Sequence, residues 1–209
     1  MLNAGVLTFR EFAMHEPLPL ATIQQAVLEF LQGRDDAVVF GAQAVNAYVA
    51  EARMTQDIDL LSDRATALAE ELRDSLSRQF HIAVRVRRVA GGKGYRLFQV
   101  RKAGNRHLVD IRPVEALPAA KRIEGVLVIA PAALVAQKVM AYHHRRGQPK
   151  SGTDWRDLAM LLLKFPQLKR PRGPVLDCLQ AAGADPAALA AWQELVAQDL
   201  RPEDGDMGF

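Results

Sequence analysis

The spacing of apolar residues changes along this 209-residue chain, and this change limits the possible folds. In the first part, stretches with helical spacing alternate with short apolar runs typical of buried strands. The predicted helices are residues 19–32, 42–52 and 64–79, and the predicted strands are 37–40 and 57–61. Strict alternation of apolar and polar residues follows, which predicts a three-stranded meander. Its strands are residues 81–89, 95–101 and 107–112.

Beyond the meander, one more short apolar strand is predicted at residues 124–129, and the remaining pattern is helical. Proline is favoured at the first position of a helix, so we predict a helix that begins at Pro131 and runs to about Arg146. We predict a polar linker at 147–152, with Thr153 capping the next helix. Two further helices are expected at 175–181 and 186–200. The sequence therefore predicts an α/β (α+β) fold: a mixed core over residues 1–130 and a helical region over 131–209.

Composition excludes several classes of protein. Apolar residues make up 49% and charged residues 24%, so the chain can bury a core and is not mainly disordered. The single cysteine, Cys178, excludes an intramolecular disulfide and a cysteine-based zinc site. No apolar run approaches the roughly 18 residues of a membrane span, and residues 1–5 do not resemble a signal peptide. We therefore expect a cytoplasmic protein with no membrane partner.

Charge is distributed unevenly although the net charge is only +3. Residues 81–109 contain eight Lys or Arg and no Asp or Glu, whereas residues 199–206 lean acidic. A second basic run consists of Lys138, Arg145, Arg146 and Lys150. A basic field of this kind favours an anionic partner such as a nucleotide or nucleic acid. Solvated strand faces would give the same pattern, so both interpretations stay open.

Two carboxylates, Asp57 and Asp59, are spaced so that they project from one face of the strand predicted at 57–61. Their repulsion would be relieved by a divalent cation, and Mg²⁺ prefers such oxygen ligands. Asp110 lies on another predicted strand between apolar residues. Three carboxylates from two strands can hold two metal ions for an in-line phosphoryl displacement, with Asp110 as the proton acceptor. A solvated Asp pair at a strand end is the alternative.

Gly41 stands between the apolar run 37–40 and the helix that follows. Glycine lets the backbone approach a phosphate closely, and a helix N-terminus offers free N–H groups. An ordinary strand-to-helix turn would also suit a lone glycine.

Together, these residues resemble the core of the DNA polymerase β-like nucleotidyltransferases. The likeness covers residues 37 to 165 and rests on a strand, Gly41-Ala42-Gln43, a helix, then Arg53-Met54-Thr55-Gln56-Asp57-Ile58-Asp59. Within that superfamily the sequence is similar to the AbiEii/AbiGii type of bacterial toxin-like nucleotidyltransferase. The resemblance implies a nucleotidyltransferase fold with Mg²⁺, in one or two ions, or Mn²⁺, held by Asp57, Asp59 and Asp110.

The same resemblance implies which residues bind the nucleotide. Backbone groups of Gly41 and Ala42 would hold the triphosphate, as would the side chain of Lys138, and Asp157 of the motif Asp154-Trp155-Arg156-Asp157 would lie beside that lysine. Both acidic residues would also suit the first turn of a helix. Ala42 departs from the family, whose active members usually carry Gly or Ser there. Gln43 or the hydroxyl of Thr55 would compensate, and Arg53 would assist.

The implied function is transfer of a nucleoside monophosphate from an NTP to a hydroxyl acceptor. The acceptor would be RNA such as tRNA, or a protein, and an antitoxin would be a partner. An antibiotic-modifying enzyme is a second hypothesis, although its cationic substrate would need an acidic pocket. A nucleotide- or partner-binding protein without catalysis is the third, which Ala42 keeps open.

Two conspicuous patterns are given ordinary structural interpretations. Residues 91–94, Gly-Gly-Lys-Gly, lie between two predicted strands and not before a helix, so we predict a hairpin turn and no phosphate loop. His143 and His144 fall at the end of a predicted helix, where cationic side chains complement the helix dipole.

Overall fold

A computed structural model of the chain describes residues 18–102 and 104–202. The predictions for residues 1–5 and for the acidic positions 203, 204 and 206 lie outside the described residues. The chain divides into two compact units, Met1–Ala130 and Pro131–Phe209. Among the described residues, no helix is long and apolar enough to cross a membrane.

The first unit has the mixed α/β architecture expected from the sequence. Its described elements, in chain order, are α1 (Leu20–Leu31), β1 (Val38–Phe40), α2 (Gly41–Tyr48), β2 (Ile58–Ser62), α3 (Ala65–Phe80), β3 (Val84–Arg88), β4 (Tyr95–Gln99), β5 (Arg106–Pro113), β6 (Ala120–Ile123) and β7 (Val126–Ile129). The strands form one sheet in the order β3-β4-β5-β2-β1-β7-β6. The meander of β3, β4 and β5 is antiparallel, as predicted.

The middle of the sheet is buried on its apolar side. Helices α1 and α3 pack against each other and against the sheet. The apolar stripe of α3, Leu68, Leu72 and Leu76, is fully buried, as its helical spacing predicts. On β2, Ile58 and Leu60 are also fully buried, whereas Asp59 between them is half-buried. The alternation along β2 therefore separates the core from the acidic side chains.

Strand β6 was not predicted. It pairs antiparallel with β7, and Glu124 and Gly125 between them have φ angles of 48° and 84°, as a tight hairpin turn requires. Glu124 was predicted in the strand and instead lies in this turn. Strand β6 lies at the sheet edge with Lys121 and Arg122 exposed, so its sequence lacks the apolar alternation of a covered strand. Helix α2 also ends at Tyr48, before the predicted residue 52.

The second unit is helical, as predicted. Its helices are α4 (Pro131–His144), α5 (Pro149–Lys164), α6 (Pro174–Ala181) and α7 (Pro186–Ala197). Each begins at a proline, whose fixed φ angle suits the first helical position and whose missing N–H would have no helical partner there. Trp192 and leucines from several of these helices form the buried core. His143 and His144 end α4, where cationic groups are favoured.

The prediction of a linker at 147–152 and a cap at Thr153 is wrong. Helix α5 begins at Pro149, after Gln148 in extended conformation, and Thr153 lies inside the helix. Ser151 and Gly152 are weak helix formers that indicated a linker, but Pro149 fixes an earlier start. Asp154 and Asp157 are therefore not in the first turn of the helix, and both are buried.

The position of Gly152 gives a direct test of where α5 begins. Its φ angle is ordinary and a Cβ atom would meet nothing within 4 Å, so Gly152→Ala should raise the free energy of unfolding by about 0.5–1 kcal/mol. Gly147 has equal space but a φ of +81°, so Gly147→Ala should lower stability by about 1–2 kcal/mol. Urea unfolding of the full chain measures both, and a neutral Gly152→Ala would contradict an early helix start.

Candidate active site

Asp59 and Asp110 lie side by side on neighbouring strands. Strands β2 and β5 run parallel, and their register pairs Asp59 with Asp110. Asp57, predicted as the first residue of this strand, lies one residue before β2 begins. Because paired residues on adjacent strands share a face, both strands present carboxylates on the side of the sheet opposite Ile58 and Leu60. We call Asp57, Asp59 and Asp110 the acid cluster.

Gly41 brings the start of α2 against the acid cluster. Its φ angle is +68°, in the left-handed region that favours glycine. A Cβ atom at this position would lie 2.2 Å from Oδ2 of Asp59, so only glycine fits. The register places Asp59 opposite Phe40, directly before this turn. The glycine predicted to admit a phosphate therefore lies next to a carboxylate predicted to hold the metal.

His107 joins the acid cluster and was not predicted as a site residue. Its Nδ1 atom lies 3.0 Å from Oδ2 of Asp57, and its Nε2 atom lies 3.0 Å from Oδ1 of Asp110. On a regular strand, residues three positions apart point to opposite faces of the sheet. Alternation alone would therefore place His107 and Asp110 on opposite faces. A register shift between Leu97 and Phe98 of β4 leaves an extra residue on β5. This β-bulge returns His107 to the face of Asp110.

Arg96 is the second cation at the cluster, and the sequence showed it only as part of the basic run. It lies directly opposite Asp110 on β4 and donates two hydrogen bonds, from Nε and Nη2, at 2.6 and 2.8 Å. This bidentate geometry uses both carboxylate oxygens. Beside it, a cleft of about 260 Å³ is lined by Asp110, Arg96, Arg112, Lys93 and four other residues, so the 91–94 hairpin borders the site.

Asp110 and its two cationic neighbours, His107 and Arg96, shift one another's pKa values. Burial alone would lower the pKa of His107, but its hydrogen bonds to Asp110 and Asp57 outweigh burial and raise it to about 9. Burial would raise the pKa of Asp110, but hydrogen bonds from His107 and Arg96 hold it well below its usual range. Asp110 is therefore ionised at any physiological pH, as a metal ligand must be.

The donor atoms at this site are suited to a divalent cation. One ligand atom each from Asp57, His107 and Asp110 lies within 4.8 Å of the others. With Asp59 beside them, the oxygens outnumber the nitrogens, and this donor set fits hard cations such as Mg²⁺ or Mn²⁺. Arg96 and protonated His107 supply positive charge to the same carboxylates, so these cations and a metal ion would compete for Asp110.

Gln43 and Thr55, predicted near the phosphates, are both buried. Thr55 donates a hydrogen bond from Oγ1 to Oε1 of Gln43 at 3.2 Å, and Gln24 donates to the carbonyl oxygen of Thr55. Asn46 holds the same loop through Arg53, accepting from its backbone N–H and donating to its carbonyl at 3.0 and 2.7 Å. These contacts fix the loop before Asp57 and so help to position that residue.

Lys138 and Asp157 form a buried ion pair within the helical unit. The amine of Lys138 lies 2.6 Å from Oδ2 of Asp157 and 3.7 Å from Oδ1 of Asp154. Arg145 donates to Asp154 at 2.8 Å. The predicted adjacency of Lys138 and Asp157 is therefore present. Because α5 begins at Pro149, these acids do not cap a first turn; they partner the buried Lys138 and the half-exposed Arg145.

Comparison with known families decides the family of this chain. Residues 25–204 match the family described as nucleotidyl transferase AbiEii toxin of the type IV toxin–antitoxin systems. The chain belongs to the AbiEii nucleotidyltransferase toxin family. It is accordingly a nucleotidyltransferase and a toxin of a toxin–antitoxin system, which implies a nucleotide substrate and an antitoxin. The family resemblance derived from the residues is confirmed.

Solved structures support the fold of this AbiEii family member. Megavirus polyadenylate synthase matches with a TM-score of 0.57 and 15% identity. The match covers 70% of this chain but only 32% of the viral enzyme. A proposed nucleotidyltransferase from Helicobacter pylori matches with a TM-score of 0.54 and 14% identity, over 91% of this chain and 93% of its own. The H. pylori protein JHP933 gives 0.52 and 14%, over 91% and 90%. No curated protein sequence matches this chain.

Gly41→Ala tests the close approach of α2 to the acid cluster. The added methyl group would displace the Asp59 carboxylate and would require a left-handed alanine, which costs about 1–2 kcal/mol. We expect lower stability in urea and at least about tenfold weaker Mn²⁺ binding by electron paramagnetic resonance, equivalent to about 1.4 kcal/mol. Gly33→Ala is the control, since its φ of +74° gives similar strain with no neighbour within 4 Å. Equal Mn²⁺ binding by both variants would contradict the proposed geometry.

His107 makes the stability of the metal-free protein depend on pH. Its folded-state pKa of about 9 exceeds the value of about 6.5 expected in an unfolded chain. The stabilisation is therefore full below about pH 6.5 and is lost as the pH rises through about 9. Unfolding free energies measured with chelator should fall over this interval more steeply for the wild type than for His107→Gln. A His107 imidazole that titrates near 6.5 by NMR would contradict the contacts with Asp57 and Asp110.

Proposed function

We propose that this chain catalyses metal-dependent transfer of a nucleoside monophosphate from an NTP to a hydroxyl acceptor, with release of pyrophosphate. The observation that carries the proposal is the pairing of Asp59 with Asp110, next to Asp57 and against the Gly41 turn. Carboxylates that could bind a cation therefore lie next to backbone N–H groups that could bind a phosphate. Asp57 and Asp59 would hold Mg²⁺ or Mn²⁺, and Asp110 would complete the site.

In the proposed reaction, one phosphorus–oxygen bond forms as another breaks, and Asp110 receives the proton. The acceptor oxygen forms a bond to the α-phosphorus, and the bond from that phosphorus to the bridging oxygen of the pyrophosphate breaks. A bound divalent cation would neutralise the developing charge on the phosphate oxygens. The acceptor proton passes to Asp110, which is a weak base while Arg96 and His107 hold it. Release of Asp110 by Arg96 would therefore accompany the reactive state.

The nucleotide would be held by backbone groups and by side chains. Backbone N–H groups of Gly41 and Ala42 at the start of α2 suit the phosphates, since a helix N-terminus favours anions. Lys138 is assigned to the triphosphate by the family resemblance, with Asp157 fixing its amine. Gln43, Thr55 and Arg53 act by shaping the loop before Asp57. Ala42 contributes its backbone only.

RNA such as tRNA, or a protein, is the proposed acceptor, and an antitoxin is the proposed regulator. An antibiotic-type substrate is cationic and would need acidic surroundings. The cleft beside Asp110 is instead lined by Lys93, Arg96 and Arg112, which disfavours that hypothesis. A catalytically inactive family member remains the competing hypothesis because of Ala42, and it requires NTP binding without transfer.

Label transfer tests the proposed reaction. The full chain is incubated with NTPs labelled at the α-phosphate, Mg²⁺ and either total RNA or cell extract. We expect transfer that is abolished by chelator and reduced at least about 10³-fold by Asp57→Asn, since each metal ligand acts on the transition-state charge. Asp63→Asn is the matched control, because Asp63 is exposed just beyond the end of the same strand.

The outcomes separate the hypotheses. Label in RNA or in protein supports transfer and names the acceptor class. An equal reduction of labelling in Asp57→Asn and Asp63→Asn, or no transfer despite NTP binding, contradicts the catalytic role of the acid cluster.

A further inference from the structure

The strand register sorts the basic run by face. Arg96 pairs with Asp110, and Arg87 on the edge strand β3 pairs with Arg96, so all three share the face of the acid cluster. Arg85, two residues before Arg87, points the same way. Arg88 instead pairs with Tyr95 on the opposite face and contacts its hydroxyl. Neighbouring arginines on one strand are thus divided between two faces of the sheet.

Phe98 connects these arginines to the acid cluster. The guanidinium carbon of Arg87 lies 5.7 Å from the centre of the Phe98 ring. The same ring lies 5.4 Å from the ring of His107, tilted by 38°, and His107 contacts Asp57 and Asp110. The register also aligns Arg85, Phe98 and His107 across the three strands. A continuous row of contacts therefore runs from the acid cluster to the edge of the sheet.

Two exposed arginines beside an aromatic ring have the chemistry of a single-strand binding surface. Guanidinium groups bind phosphates, and an aromatic ring stacks on a base. Residues 81–109, which span β3 and β4, carry no Asp or Glu that would oppose an anion. We call Arg85, Arg87 and Phe98 the β3–β4 surface.

We propose that the β3–β4 surface binds the acceptor as a single-stranded RNA end and directs its terminal hydroxyl to the acid cluster. This inference rests on the proposed function and narrows its acceptor to RNA. An acidic protein would pair with the arginines but would gain no base stacking on Phe98, so the surface favours a polynucleotide. The residues act by positioning the acceptor, while the acid cluster, with the cation that it would hold, would carry the chemistry.

Binding of a fluorescently labelled single-stranded oligoribonucleotide to the full chain tests this surface. We expect the double variant Arg85→Gln/Arg87→Gln to weaken binding at least about tenfold. It should also flatten the dependence of log affinity on log salt concentration by about 0.7 for each phosphate that the protein no longer neutralises. Arg88→Gln is the control on the other face, and because it removes one positive charge where the double variant removes two, its effect is also compared with that of Arg87→Gln alone. Equal effects of the double variant and Arg88→Gln would overturn the proposal.

Substitution of Phe98 tests stacking separately from charge. Phe98→Leu keeps apolar bulk but removes the ring, and we expect binding at least about fivefold weaker, whereas Phe98→Trp should retain it. A structural role alone would make Trp the more disruptive change, because the half-buried site would have to enlarge. Unchanged binding in Phe98→Leu would overturn the stacking role.

Measurement of binding and transfer in parallel separates this inference from the proposed function. Asp57→Asn should bind the oligoribonucleotide like the wild type while its label transfer falls at least about 10³-fold. Should the wild type transfer label to RNA while the double variant binds and reacts normally, the β3–β4 surface fails and the proposed function stands. If the wild type transfers no label but the double variant still loses RNA binding selectively, the proposed function fails and the β3–β4 surface is supported as an RNA-binding site. Label found only in protein, with no RNA bound, overturns the surface proposal.

Discussion

The repulsion among three carboxylates is the constraint on which the first unit depends. Asp59 and Asp110 are aligned on parallel strands with apolar residues on both sides of each in sequence, so they cannot turn away without disturbing the core. Nearby positive charge is therefore needed to offset the repulsion between these carboxylates, and Arg96 and His107 supply it. The stability of this arrangement and its capacity for a divalent cation have the same electrostatic origin.

Close packing around the cluster explains several residues that otherwise look unrelated. Gly41 leaves room for the Asp59 carboxylate and starts α2 beside it. Gln43 and Thr55 bond to each other, and Asn46 clamps the backbone of Arg53. The residues of the family motif therefore have two different roles. Some of its residues face the site, and others hold the loop that carries them.

Much of this could be predicted from the sequence because it depends on local periodicity. The stripe of Leu68, Leu72 and Leu76 predicted α3, and alternation along β2 placed Asp59 opposite the core. The motif around Asp57 predicted the family. The two cations could not be predicted in the same way, because His107 reaches its face through a β-bulge and Arg96 through pairing with a distant residue. Both depend on strand register, which a single strand's sequence does not contain.

Two errors have a common physical cause. Local composition favoured a linker at Ser151 and Gly152, and it favoured no strand at Lys121 and Arg122. In both places the structure is set by a stronger neighbour, namely Pro149 at the start of α5 and the hairpin turn at Gly125. Local propensity is weak compared with such fixed backbone geometry.

We propose that a divalent cation bound at the acid cluster replaces the contacts that Arg96 and His107 make with Asp110. A crystal structure of the full chain grown with Mn²⁺ and a non-hydrolysable NTP analogue tests this directly. We expect an anomalous peak in contact with carboxylate oxygens of Asp57 and Asp59, with the Arg96–Asp110 pair opened. A Mn²⁺ peak only elsewhere, with both hydrogen bonds from Arg96 to Asp110 intact, would contradict it.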